Sequence, residues 1–516
     1  MRRLPLAFAA LIALTVLAVY GRGVARYASL GDDAFISFRY ARHLADGLGL
    51  VFNPGERVEG YTNFLWVVML ALGMRLGLAP ELLSNLVGVA SGALVLAALF
   101  LLPGGRGPRE LLGWLAPAAL ALSRTFTAWS TGGLETQLFT LAVLAALLAL
   151  LREPDTARWP ASAWLFALAT LVRPEGALFA GVALLFLAAD AVRGRLVRLV
   201  RFGVVYGGIV GAHLLWRHHY YGFWLPNTFY AKVPGLWLEQ GWAYVRLFHD
   251  DYRIGWLLPL MALPVVRRRE RTPRVLAAVV LAQLAYVVAI GGDRFEFRFF
   301  VVILPYVYWL IAEGIHELPG PWFRAALAGL VLLATQLGSA RPEARVTRIG
   351  VASVQDCKRY GARRQADGQA LRALIDRGIL PRGLRIAVGG AGALPYYTDW
   401  YTVDVFGLND VRVAHQPVER RTVPGHERVA PAAYLAEKQV GLWDVLDGPL
   451  LPPDIDVLWQ RVENADYRGP IRCLELAGRY LVFATTLPEA AHRALFRDLA
   501  ACPADGRRLD DRGAGG

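Results

Sequence analysis

The fold class this sequence predicts is a mainly α-helical polytopic membrane protein with a C-terminal soluble α/β domain. Three observations predict it. The 516 residues are 55% hydrophobic and only 19% charged, with a mean hydropathy of +0.38, which is too apolar for an ordinary soluble chain. Apolar runs alternate with two distinct kinds of connection up to residue 340. From residue 341 the pattern changes to charged helical and strand-like segments bounded by Gly, Pro and Asp. The expected division is therefore a membrane domain over 1–340 with a first external loop over 21–63, and a soluble domain over 341–516.

The first apolar run follows Arg2 and Arg3. It fits a signal peptide or a first spanning helix, and the long series of later runs favours a retained anchor. Its basic start places the N-terminus in the cytoplasm and the next loop outside. Further apolar runs cover 64–79, 82–102, 111–128, 134–151, 160–172, 177–190, 200–217, 255–266, 275–290, 299–313 and 322–338. Several are shorter than the ~20 residues of a perpendicular span, and the expected count is about 11 to 13 helices.

Between these runs, Arg-rich loops (104–110, 152–158, 193–201 and 267–274) alternate with loops carrying Glu135, Arg173-Pro174-Glu175, Asn227 to Lys232 and Asp293 to Arg298. Cytoplasmic and external loops alternate in this way. Two complete spans at 64–79 and 82–102 would break the alternation by placing Arg106 and Arg109 on the side of Asp32, so the first is expected to be short or re-entrant. The same loop pattern accounts for the net charge of +13 without nucleic acid, because the cations fall in short clusters between apolar runs.

In the soluble domain, the segment 357–378 has a helical period, while 384–390, 400–407, 455–461 and 479–486 read as strands. Counting from the Asp293 loop through the last apolar run places this domain outside. All three cysteines, Cys357, Cys473 and Cys502, lie in it, so one disulfide fits an oxidising compartment, with any of three pairings open.

The stretch from Gly31 to Asn63 carries the clearest chemistry. Adjacent carboxylates at a water–membrane boundary raise one another's proton affinity, so one of Asp32 and Asp33 could accept a proton from an attacking hydroxyl while the other orients it or binds a cation. The plain structural alternative is an N-terminal cap for the helical-looking segment that follows. Arg39 and His43, four apart, share a face of that helix; Arg39 could meet a phosphate or one of the aspartates, and the alternative is an interfacial helix whose cations face lipid headgroups. Asn53, Glu56, Glu59, Tyr61, Thr62 and Asn63 offer hydrogen-bonding groups and an aromatic face to a sugar, or form a structural loop around the Asn53-Pro54-Gly55 turn.

Glu135 could serve a sugar, or simply the positive end of its helix. Arg173 and Glu175 sit at a break between apolar runs, where charges mark substrate paths or pair with each other. The stretch from Tyr220 to Val233 is an aromatic interfacial belt or a headgroup site with Asn227 and Lys232. Arg294 and Arg298, four apart, could hold a phosphate, with Asp293 beside them; paired surface charges are the alternative. The glycine-rich 388–397 lacks the G-x-G-x-x-G spacing and reads as a turn. Zinc-protease, ATPase and α/β-hydrolase motifs are missing from the sequence.

Taken together, DDAFISFRYARHLADGLGLVFNPGERVEGYTNFLW, STGGLETQLF, LVRPEG, YYGFWLPNTFYAK, GGDRFEFRFF and DVFGLNDVRVAH resemble the GT-C glycosyltransferases of the mycobacterial terminal beta-(1->2) arabinofuranosyltransferase type, whose relatives also bear the name of flagellar motor control proteins. The C-terminal part, with Gly407-Leu408-Asn409-Asp410 and His415, resembles that family's extracytoplasmic domain.

The resemblance implies a GT-C fold in a bacterial inner membrane and an inverting transfer of a sugar, arabinofuranose in the namesakes, from a polyprenyl-phosphate donor to a cell-envelope glycan. It places the general base at Asp32 or Asp33. The expected phosphate-side residues are Lys232, Arg294, Arg298, Arg173 and Arg39, and the expected sugar-side residues are Glu59, Tyr61, Asn63, Glu135, Glu175, Asn227 and Asp293. No cofactor is expected beyond the lipid-linked donor, and the reading leaves room for a divalent metal without assigning it ligands. The competing readings are a lipid-linked-sugar transporter, which needs no base, and a non-catalytic envelope or motor-associated factor.

Overall fold

The computed structural model describes residues 4–502 except 155, 233–234, 341–348, 419–420, 422–424, 464–466, 468–470, 477–478 and 498. From the N-terminus the helices are α1 (Leu6–Tyr27), α2 (Asp32–Ala45), α3 (Phe64–Arg75), α4 (Pro80–Ala98), α5 (Leu115–Leu122), α6 (Arg124–Ala128), α7 (Thr136–Arg152) and α8 (Ala161–Val172). They continue as α9 (Gly176–Asp190), α10 (Leu196–Tyr221), α11 (Asn227–Lys232), α12 (Leu238–Tyr252), α13 (Leu258–Arg267), α14 (Arg271–Ile290), α15 (Leu304–His316) and α16 (Pro321–Ser339).

Among the described residues, five helical stretches are long and apolar enough to cross a membrane: Leu6–Tyr27, Pro80–Leu101, Gly176–Tyr221, Arg271–Ile290 and Pro321–Ser339. The longest of these covers 46 residues and is divided into α9 and α10 at Gly194, where φ is +91°. Shorter apolar helices accompany them, and α3 is one, only 12 residues long as the loop alternation required. α15 is apolar nearly all round and buried from Leu304 to Ile315, which suits a helix enclosed by its neighbours. At Gly314 a Cβ would collide with the Leu260 carbonyl, so glycine lets α15 and α13 meet backbone to backbone.

The chain forms two compact units. One comprises Met1–Leu30, Thr62–Trp224 and Gly235–Lys358; the other comprises Gly31–Tyr61, Leu225–Pro234 and Arg359–Gly516. The structure thus follows different lines from a single cut at 340. The expected external loop folds with the C-terminal residues because α2 is amphipathic and needs a partner for its apolar face. Phe35 packs 5.3 Å from the ring of Tyr396, and Phe38 lies 6.2 Å from it.

The helix α17 (Val354–Asp376) begins in the first unit and carries the chain into the second, which continues through β1 (Arg385–Val388), α18 (Ala393–Thr398), β2 (Tyr401–Asp404), α19 (Val411–Ala414), α20 (Ala432–Glu437), β3 (Leu442–Trp443), β4 (Leu450–Leu451), α21 (Ile455–Glu463), β5 (Arg472–Leu476), β6 (Arg479–Phe483) and α22 (Glu489–Leu495). A parallel sheet runs β2-β1-β3, with Ile386 opposite Thr402 on one side and Leu442 on the other. An antiparallel sheet runs β4-β6-β5. Paired bonds between Trp443 and Ala484, of 2.8 and 3.0 Å, join the two.

The strand expected at 455–461 is instead α21, a correction that follows from the ambiguity of a short apolar run. The strands expected around 385, 401 and 479 form, and β5, which had no strand assignment, pairs along the whole of β6. Cys473 and Cys502 form a disulfide, and Cys357 stays outside it.

Candidate active site

The acidic pair occupies the first turn of α2, where the positive end of the helix favours carboxylates. The pair is held unequally. Asp32 is 5% exposed, and its two carboxylate oxygens accept the backbone N–H groups of Gly392 (3.1 Å) and Ala393 (2.9 Å). The glycine-rich segment read as a turn is therefore a cradle for Asp32. A Cβ on Gly392 would strike the Asp32 carbonyl, and a Cβ on Gly390 would strike the Tyr360 hydroxyl.

Beside the cradle, the fully buried Arg364 pairs with Asp444 at 2.6 Å and donates to the Gly390 carbonyl at 3.0 Å. Burial pushes the Asp32 carboxyl above the usual carboxylate range; Arg364 and the two amides oppose that, and Asp33 adds to it. The mutual effect expected of the pair is present but smaller than desolvation. Asp33 is half-buried.

Arg39 is placed otherwise than a phosphate ligand would be. Its guanidinium is fully buried and donates to the carbonyls of Phe52 (2.7 Å), Pro395 (2.6 Å) and Trp400 (2.9 Å). Those carbonyls come from both sides of the fold of this unit, so Arg39 fastens the 31–61 segment to the C-terminal residues. His43 bonds the Val51 carbonyl through Nδ1 at 2.8 Å. Asn53 lies across β2, accepting from Thr402 N–H at 3.1 Å and donating to its carbonyl at 2.9 Å.

The rest of the loop meets two motifs that are distant in sequence. Buried Glu59 lends its carbonyl to the N–H of Asn227 at 3.0 Å, and the Asn227 amide donates to the carbonyls of Gly407 (2.8 Å) and Leu408 (3.0 Å). Gly60 is pressed against Asn409, where a Cβ would overlap the side-chain oxygen. Tyr61 lies edge-on to Tyr40 at 4.8 Å. Lys232 ends α11, next to Gly425, and Tyr230 stacks on His415 at 4.5 Å.

The helical unit gathers a second set. Asn63 donates to Glu135 Oε2 (2.7 Å), whose Oε1 accepts from Arg173 (2.9 Å), and Arg173 also pairs with Glu175 (2.6 Å). Asn63, Glu135 and Arg173 are buried, and the guanidinium lies 5.7 Å from the Phe139 ring and 5.4 Å from the Phe299 ring. Arg298 forms two bonds to Asp293, at 2.8 and 3.2 Å.

The helical pairing of Arg294 with Arg298 does not occur, because the chain before Arg298 is non-helical and Phe297 adopts a left-handed conformation with φ +50°. Two guanidinium groups thus stand among three carboxylates, so these arginines would meet a phosphate only by exchanging a carboxylate partner for it. Sequence reasoning passed over Arg124, which is buried and pairs with Glu296 (2.6 Å) and Asp251 (3.3 Å); a lone Arg after Ser123 carried no signal of that role. Among the described residues, no three His, Cys, Asp or Glu side chains stand together as a metal site would require.

Residues 359–483 match a domain of unknown function, DUF8728. The chain is 30% identical over 428 residues to a terminal beta-(1->2)-arabinofuranosyltransferase of Mycobacterium tuberculosis, covering 70% of this chain and 66% of the relative. It is 29% identical over 339 residues to the protein of the same name from Corynebacterium glutamicum, covering 54% of this chain and 47% of the relative. The chain therefore spans about half to two thirds of the length of these relatives.

Among solved structures, ArnT from Cupriavidus metallidurans bound to undecaprenyl phosphate aligns with a TM-score of 0.59 at 12% identity, covering 94% of this chain and 98% of ArnT. Its apo state aligns with a TM-score of 0.51 over 93% and 98%. By sequence the chain is a relative of the terminal beta-(1->2)-arabinofuranosyltransferases, and by fold it is a multi-pass membrane protein of the GT-C type to which ArnT belongs.

Proposed function

We propose that this protein is an inverting glycosyltransferase that moves a sugar, arabinofuranose by analogy with its relatives, from a polyprenyl-phosphate donor to a hydroxyl of a cell-envelope glycan. The observation that carries the reading is the acidic pair at the start of α2, with the Asp32 carboxyl raised by burial and fixed by two backbone amides. The names of the relatives supply the reaction class, and the undecaprenyl phosphate bound to ArnT supports a lipid-linked donor.

In the proposed reaction a carboxylate of Asp32 or Asp33 takes the proton of the acceptor hydroxyl as its oxygen bonds to the anomeric carbon. The bond from that carbon to the donor phosphate breaks, and the electron pair leaves with the phosphate. The leaving group needs no proton, only positive charge. Lys232, Arg294, Arg298 and Arg173 are proposed for that role. Arg173 and Arg298 would exchange carboxylate partners for phosphate oxygens, whereas Arg39 serves the architecture. Glu59, Tyr61, Asn63, Glu135, Glu175, Asn227 and Asp293 are proposed for the sugar hydroxyls.

The Cys473–Cys502 disulfide supports an extracytoplasmic C-terminal unit, and with it a bacterial inner-membrane protein whose N-terminus is cytoplasmic. The test is reconstitution in liposomes with polyprenyl-phosphate sugars and envelope glycan. The expected result is a new glycosidic linkage and one released polyprenyl phosphate per sugar transferred. Movement of intact lipid-linked sugar across the bilayer without cleavage would replace this reading with a transporter.

A further inference from the structure

A groove of about 320 Å³ opens on the helical unit between α1, α5, α6 and the end of α16. Val19 and Gly23 of α1 face Ala121 and Leu122 of α5 across it, and Arg22 and Arg26 are on its lining. Gly23 allows the helices to close up at its base, since a Cβ there would lie 2.8 Å from Cγ2 of Thr127. None of its lining residues belongs to the Glu135–Arg173–Glu175 set.

The two arginines stand one turn apart on α1, are both exposed, and pair with no carboxylate among the described residues. A third cation joins them, because the Lys358 ammonium donates to the Arg26 carbonyl at 3.5 Å. Along the same helices Leu14, Leu17, Leu333 and Leu337 point outward and exposed, so the phase meeting these faces is the bilayer itself. Walls that are apolar at Val19, Ala121, Leu122 and Ala340 and polar at Thr127, Gln336 and Ser339, under an unneutralised cationic rim, match the upper part of a molecule with a hydrocarbon body and a phosphate head.

We propose that this groove holds an anionic bilayer phospholipid, with its phosphodiester against Arg22 and Arg26 and the first part of an acyl chain along the walls. Charge complementarity identifies the anionic headgroup, and a groove open to the bilayer with only a short apolar wall favours the abundant bulk phospholipid over the long, scarcer polyprenyl carrier. The inference is independent of the transferase reading.

The experiment is native mass spectrometry of the full-length protein released from phosphatidylglycerol or phosphatidylcholine nanodiscs, comparing wild type with Arg22→Gln/Arg26→Gln and with Arg22→Lys/Arg26→Lys. The expected result is one phosphatidylglycerol retained by wild type and by the lysine variant, with occupancy at least about fivefold lower in the glutamine variant and little retained phosphatidylcholine in any. Equal retention of the two lipids, or equal phosphatidylglycerol occupancy in wild type and glutamine variant, overturns the proposal. So does displacement of the lipid by an equimolar amount of undecaprenyl phosphate or by inorganic phosphate. Thermal unfolding of each variant separates loss of the lipid from loss of the fold, since both side chains are exposed.

Discussion

Asp32 and Arg173 are both buried charges, kept in the protein by different means. Asp32 rests on two backbone amides of a glycine-rich loop, in the field of an arginine that has its own carboxylate partner. Arg173 is bracketed by two carboxylates, one of which is shared with Asn63. An anion held by fixed amide dipoles keeps its place whichever neighbour changes, whereas a cation between carboxylates is held by partners that lose their compensation if it is removed. The first arrangement suits a group whose position matters to a reaction. The second suits a set that can rearrange around a ligand.

The contrast is broken most severely at Arg173. Arg173→Met leaves Glu135 and Glu175 without their cation, and a loss of about 3–5 kcal/mol is expected in thermal or denaturant unfolding of the purified protein. Adding Glu135→Gln and Glu175→Gln to that variant should restore most of the loss. If the single variant is as stable as wild type, the cluster is not held by charge.

Gly392→Ala should cost somewhat less, about 3 kcal/mol, because the new methyl meets backbone rather than a movable side chain. Hydrogen exchange should localise the change to α2 and α18. An unchanged exchange pattern would show that the cradle yields freely.

The smallest effect is expected at Asp367, 4% exposed on α17, whose carboxyl burial pushes up to about 6. Because the folded value lies above the unfolded one, the folded state binds more protons between about pH 4 and 6. The stability this group contributes is complete below that window and is lost as pH rises through it. Asp367→Asn should flatten that slope and gain on the order of 2 kcal/mol at pH 7. A variant that unfolds with the wild-type pH dependence would remove Asp367 as its source.

Local patterns in the sequence foretold the elements that local forces make. The helix after Gly31 and the strands around Ile386, Val403 and Leu481 form where their periodicity places them, and most apolar runs become helices, although the run at 111–128 is divided between the short α5 and α6 and the run at 299–313 turns α-helical only from Leu304. The segment 455–461 misled because its apolar residues are too few to separate a period of two from one of 3.6.

Long-range pairings were not legible. Arg39 four residues before His43 has the spacing of a surface cation pair, yet its partners include the carbonyls of Pro395 and Trp400. The cradle at Gly390 to Ala393 works through backbone N–H groups, so no side chain advertises it. The pairing of Arg173 with Glu175 could be read from their adjacency, but Glu135 and Asn63 join it only because α7 and the start of α3 are brought to the same place.

The claim that the acidic pair supplies the base is tested most directly by transfer rates of Asp32→Asn and Asp33→Asn in liposomes with polyprenyl-phosphate sugar, each variant checked for folding by thermal unfolding. Loss of a general base predicts that at least one folded variant falls by more than about tenfold, with a hundredfold loss typical. Two folded variants that both stay within about tenfold of wild type would contradict the account.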